Sequence, residues 1–170
     1  MMDVSALRKI SYGIYVVSSR RGDRFNGQIA NTVFQVTSDP VKIAVCINKQ
    51  NLTHKFISES GVFTASILSK ETPLSFIASF GFRSGRDYDK FKGVNFKVGL
   101  TGAPIVIDNA VAYLEAKVVG SYDVGTHTLF VGEVVSAKVL KDEEPLTYAY
   151  YQEMKRGRTP PTAPSYVKGL

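Results

Sequence analysis

Two long strand-type runs, Ala110–Tyr122 and Thr128–Val139, are joined by Asp123-Val124-Gly125-Thr126 and His127. Five residues leave no room for a crossover helix, so the two runs pair as an antiparallel hairpin. Strand-type segments recur upstream. Ser11–Ser19 is rich in β-branched and aromatic residues, and Arg20-Arg21-Gly22-Asp23 turns the chain. A second strand is expected from about Phe25 to Ser38, bent near its start by Asn26-Gly27. Asp39-Pro40 turns the chain again into the nearly all-apolar, buried run Lys42–Asn48. Val62–Leu68 and the short Pro104–Ile107 complete the set. Helical patterns are few and short. They cover residues 3–10, a stretch opened by Asn51 or Thr53 and stopped by Gly61, and Pro73–Phe80. Gly81 to Gly102 is broken by glycines and reads as loop. Six or more strands with no βαβ repeat predict a mainly β fold, a closed or nearly closed antiparallel barrel with short flanking helices. In the second long strand Leu129, Val131, Val135 and Ala137 share a face interrupted only by Glu133, and this face is expected to be the buried one.

With 170 residues the chain is one domain by length. Residues 1–156 are assigned to the barrel, and residues 157–170, with Pro160, Pro161 and Pro164, to an extended tail. One cysteine excludes a disulfide framework, a four-cysteine metal site and an iron–sulfur cluster. Two histidines without a closely spaced ligand set argue against a metal. No run of about 18 apolar residues is present, and Met1–Ser5 lacks the regions of a signal peptide, so a soluble cytoplasmic protein is expected. The net charge of +6 forms no dense basic stripe interleaved with aromatics, and nucleic acid is not the expected partner. Basic groups facing a phosphorylated small ligand are an equally simple use of that charge.

No G-x-S-x-G, H-E-x-x-H or Walker lysine is present. The informative features are polar sets at strand ends. Gln28-Ile29-Ala30-Asn31-Thr32 places amides and a hydroxyl inside an apolar strand. Asn48-Lys49-Gln50-Asn51-Leu52-Thr53-His54 leaves a buried strand and opens a helix, whose free N–H groups and partial positive charge suit a phosphate. Phe80-Gly81-Phe82-Arg83-Ser84-Gly85-Arg86 adds aromatics and two guanidiniums. Each set also has a plain structural use: solvent-facing strand residues, a helix cap with a solvated histidine, a core aromatic followed by a solvated loop. Cys46 reads as a small core residue, and His127 as a hairpin-loop residue.

Taken together with Gly125-Thr126-His127-Thr128-Leu129-Phe130-Val131-Gly132-Glu133-Val134 and Asp87-Tyr88-Asp89-Lys90-Phe91, these strings resemble the flavin reductase-like proteins, FMN-binding split barrels of antiparallel, Greek-key-like topology. Within them the chain is similar to flavoredoxin and to the flavin domain of NADH:rubredoxin oxidoreductases. The resemblance implies FMN bound near a homodimer interface. Gln28, Ile29, Ala30, Asn31 and Thr32 would line the ring and ribityl chain. Asn48, Lys49, Asn51, Thr53 and His54 would face the phosphate or ribityl side. Phe80 and Gly81 would cover another part of the flavin, with Arg83 or Lys90 at the phosphate. His127 would stand close to the nicotinamide as the catalytic candidate, although this chain has Gly-Thr-His where many relatives have Gly-Asp-His. The implied activity is electron transfer from NAD(P)H to rubredoxin, ferric iron or free flavin. The residues alone leave open two other classes: an FMN electron-transfer module with no nicotinamide reaction of its own, and a basic barrel for a phosphorylated ligand or nucleic acid.

Overall fold

The structure is a computed structural model that describes residues 1–168. A 3-10 helix, Val4–Lys9, is capped by the Asp3 carboxylate on the Ser5 N–H. The strands that follow are β1 (Tyr15–Arg21), β2 (Arg24–Ala30), β3 (Val33–Ser38), β4 (Val41–Asn48) and β5 (Val62–Leu68). Then come β6 (Phe96–Val98), β7 (Pro104–Val106), β8 (Ala110–Asp123) and β9 (His127–Val139). The helices are α1 (Leu52–Ser60), α2 (Leu74–Gly81) and α3 (Tyr148–Glu153).

Seven strands form one antiparallel sheet in the order β2-β1-β5-β8-β9-β4-β3. The two edge strands of that sheet, β2 and β3, are consecutive in the chain and only Asn31-Thr32 lie between them. A sheet whose opposite edges are two residues apart must curl on itself, so it closes as a barrel split along the β2–β3 seam. This corrects the single strand expected over Phe25–Ser38. The chain breaks at Asn31-Thr32 because β2 pairs with β1 while β3 pairs with β4 on the far side of the sheet.

The barrel interior is packed by Val17, Val45, Ile47, Phe63, Ala65 and Phe130, with Ile57 of α1 inserted among them. Phe56 and Ile57 make α1 a plug, and Gly61 stops it in a left-handed conformation (φ 69°), its N–H bonded to the Ile57 carbonyl at 2.8 Å. That conformation suits glycine. A second cluster joins Ile14, Val16, Leu68, Ile77, Phe80, Phe91 and Tyr151, and it holds α2 and α3 against the outside of β1 and β2.

The buried face of β9 is the opposite of the one expected. Phe130 is 2% exposed and Gly132 is also buried, whereas Val135 and Val139 are 38% and 73% exposed. A Cβ on Gly132 would meet the Phe63 ring at 2.7 Å. The inner row therefore carries a small residue where an aromatic fills the space, and counting apolar residues per face picks the wrong side. Among the described residues, no helix is long and apolar enough to cross a membrane.

Candidate flavin site

The seam opens into a cavity of about 480 Å³. It is built from Ile14, β2 (Asn26 and Gln28–Ala30) with Asn31, the end of β4 (Cys46, Asn48), the entry to α1 (Gln50–Thr53), and Ile77 and Phe80–Gly81 of α2 with the loop that follows (residues 82–86). Lys90, Tyr148, Tyr151 and residues 158–164 complete the lining. Sheet closure explains the gathering. The seam juxtaposes the ends of β2 and β4, and α1 leaves β4 at the same end.

One corner is suited to an anion. Asn26 Nδ2 donates to Thr53 Oγ1 at 2.8 Å, which leaves the Thr53 hydroxyl hydrogen free to donate elsewhere. Thr53 is fully buried in the first turn of α1, and Asn51, the residue capping that turn, makes no side-chain bond to it. Asn51 Nδ2 donates instead to Gln28 Oε1 at 3.1 Å. The loop after α2 is tied to this corner. Arg86 Nη2 donates to the Gln50 carbonyl at 3.2 Å, and Arg24 Nη2 donates to the Gly85 carbonyl at 3.1 Å. Gly85 approaches Asn26 so closely that a Cβ there would fall 2.0 Å from Asn26 Oδ1.

Lys90 reaches β2 at the next residue, Gly27, and lines the same cavity. Its ammonium donates to the carbonyls of Gly27 and Phe80, each at 2.8 Å, and the residue is 6% exposed. Burial pulls its pKa down to about 8. Thr53 and Lys90 are thus held by the adjacent residues Asn26 and Gly27. Arg83 lies over the Tyr88 ring, 4.6 Å from its centroid. Ile29, Ile77 and Phe80 supply the apolar wall, and burial pushes the Cys46 thiol up, keeping it protonated.

Of the residues singled out from the sequence, Gln28, Ile29, Ala30, Asn31, Asn48, Asn51, Thr53, Phe80, Gly81, Arg83 and Lys90 line this cavity. Four stand outside its lining. Thr32 donates to the neighbouring Asn31 Oδ1 at 3.1 Å. Lys49 pairs with Asp123 at 2.7 Å on the exposed hairpin end. His54 turns toward β9, with Nε2 2.8 Å from Thr128 Oγ1 and its ring against Phe130. Burial and the Lys49 charge hold the His54 pKa below its ordinary value.

His127 is the first residue of β9 and no loop residue, and it is 7% exposed. Its Nε2 lies 2.9 Å from the Thr162 carbonyl and its Nδ1 2.7 Å from Thr126 Oγ1. A carbonyl only accepts, so Nε2 carries the hydrogen and, in the neutral ring, Nδ1 accepts from Thr126. The lining contributed by Tyr148, Tyr151 and residues 158–164 escapes sequence reasoning, and no local motif announces it.

The flavin reductase like domain family matches residues 7–157. The chain is 60% identical over 167 residues to a ferric-chelate reductase (NAD(P)H) of Archaeoglobus fulgidus, covering 98% of this chain and 99% of that one. It is 54% identical over 168 residues to a high molecular weight rubredoxin of Moorella thermoacetica, covering 99% of this chain and 73% of the other. Among solved structures it resembles an NADH:FAD oxidoreductase of Streptomyces globisporus, with TM-score 0.75 and 27% identity over 85% of this chain and 88% of that one. It also resembles an FMN-binding protein of Thermus thermophilus with bound p-hydroxybenzaldehyde, with TM-score 0.76 and 26% identity over 84% and 83%.

Proposed function

The chain belongs to the flavin reductase like family, and on that premise we propose that the seam cavity holds FMN, which takes electrons from NAD(P)H and passes them to ferric iron, rubredoxin or free flavin. It is an NAD(P)H-linked flavin oxidoreductase, as its similarity to the ferric-chelate reductase and the NADH:FAD oxidoreductase supports. The observation that carries the choice of FMN is the anion corner. Thr53 has a free hydroxyl hydrogen at a helix start, and Lys90 is a buried ammonium held only by carbonyls. A monophosphate supplies the negative charge that such a corner lacks.

The rest of the cavity fits an isoalloxazine. Its volume of about 480 Å³ falls in the roughly 300–1,000 Å³ range of small-molecule sites. Ile29 and Phe80 offer apolar surface, and Gln28, Asn31 and Asn48 offer amide groups. A bound flavin supplies hydride acceptance and one- or two-electron delivery. The protein's residues hold the phosphate at Thr53 and Lys90, shield the ring with Ile29 and Phe80, and present the Nε2–H of His127 toward the donor side.

A homodimer belongs to the same reading. Phe34 and Val36 on β3 and Tyr122 and Val124 at the hairpin end expose apolar surface that a second copy would cover. Protein purified without added flavin should be yellow and release FMN, near one per chain, on denaturation. Colourless protein that binds neither FMN nor FAD when they are added would refute the proposal.

A further inference from the structure

Residues 158–165 lie beyond the stretch matched by the family, yet residues 158–164 line one wall of the cavity. The Thr162 carbonyl meets two side chains at once: Asn48 Nδ2 at 3.2 Å and His127 Nε2 at 2.9 Å. Asn31 Nδ2 donates to Ser165 Oγ, the Tyr151 hydroxyl donates to the Arg158 carbonyl at 2.8 Å, and the Tyr148 and Thr159 hydroxyls are bonded to each other.

Burial is one-sided across this contact. Asn31, Asn48 and His127 are 6%, 8% and 7% exposed beneath the segment, whereas every residue from Arg158 to Ser165 is half-buried or exposed. The segment is held by polar ties and buries no apolar anchor of its own, so lifting it costs little apolar burial. Lifting it would also open the cavity onto His127, which now stands behind it.

We propose that residues 158–165 are a strap whose Thr162 carbonyl occupies the donor subsite in place of the nicotinamide carboxamide, so that NAD(P)H must displace the strap to reach the flavin. This rests on the flavin reading above. The chemistry of the exchange matches. A carboxamide carbonyl is an acceptor of the same kind as a peptide carbonyl, and it takes the same two donors, Asn48 Nδ2–H and His127 Nε2–H. The strap keeps those donors paired between turnovers, when they would otherwise be buried and unsatisfied. Pro160, Pro161 and Pro164 stiffen the segment and lower the entropy lost each time it closes again.

Four measurements on the FMN-loaded protein and its variants test the strap. Trypsin should cut slowly after Arg158, and saturating NAD+ should speed the cut several-fold. Ending the chain at Gly157 removes one competing carbonyl and should tighten NAD+ binding, read from the perturbed flavin absorbance, by roughly five-fold. Replacing Pro160 and Pro161 with glycine loosens the strap without deleting it and should shift NAD+ affinity in the same direction, by less. In His127→Ala the truncation should gain less than it does with His127 present, because the two changes act on one contact. Protection of Arg158 by NAD+, or weaker NAD+ binding after truncation, would overturn the strap and make residues 158–165 a fixed part of the donor site. Protein that never takes up FMN would refute the flavin reading itself, and the strap with it.

Discussion

In the proposed flavin site, Thr53 and Lys90 are the residues on which selectivity for a phosphorylated flavin would turn. The Thr53 hydroxyl accepts from Asn26 and has its own hydrogen to give, so Thr53→Ala removes one donor to the phosphate and leaves the amide of Asn26 without its acceptor. FMN binding should weaken by roughly 5- to 30-fold, about 1–2 kcal/mol, while riboflavin binding changes much less. Paired titrations by flavin fluorescence check this, and equal losses for both flavins would make Thr53 a support of α1 only. Lys90 adds a pH dependence. Burial lowers its pKa to about 8 in the flavin-free protein, and a bound phosphate pulls it back up. The preference for FMN over riboflavin should then be full below pH 8 and fall as the pH rises above it, where binding must recharge the amine. In Lys90→Met the preference should be smaller and flat between pH 7 and 9. Lys90 came only from the family resemblance, whereas Thr53 was visible in the sequence because a short polar run opens a helix after an apolar strand. That His54 and Lys49 point away from the cavity was not, because their directions are set by contacts with Thr128 and Asp123, about seventy residues distant in the chain.

At the scale of elements, local chemistry was readable and long-range pairing was not. Gly61 announces the end of α1, and Asp123–Thr126 announces the hairpin, because both are decided by a few neighbouring residues. The break at Asn31-Thr32 is decided by partners. β1 with β2 and β3 with β4 are each local hairpins, whereas β4 finds β9 across about eighty to ninety residues of chain and so carries β3 to the opposite edge of the sheet from β2. The inner face of β9 was misread because its inward row contains Ser136 and Gly132, and Gly132 is set by fit against Phe63 and Ala116 and not by hydrophobicity. Phe130→Ala should cost about 3–5 kcal/mol in denaturant unfolding. Val139→Ala, on the exposed outer row, should fall within about 0.5 kcal/mol of the unchanged protein. The reverse order would restore the face expected from the sequence. α3 and the strap were missed for a related reason. Tyr148 and Tyr151 gain their meaning only from the groups they reach, the strap and the second apolar cluster.

For the whole molecule, the curl that brings β2 beside β4 creates both a site and an exposed apolar exterior. Phe34, Val36, Tyr122, Val124 and Val135 lie 38–58% exposed, more apolar surface than a lone barrel gains from showing. A two-fold dimer covering these faces should sediment at about twice 18.7 kDa at micromolar concentration. A fully flavin-loaded monomer would separate the site from the assembly. Whether this cavity passes electrons from a nicotinamide to a bound flavin is decided by anaerobic titration of the FMN-loaded protein with NADH and NADPH. The flavin's visible absorbance should bleach with one equivalent of at least one donor. A flavin that stays oxidised with both, yet bleaches with dithionite, would rule that transfer out.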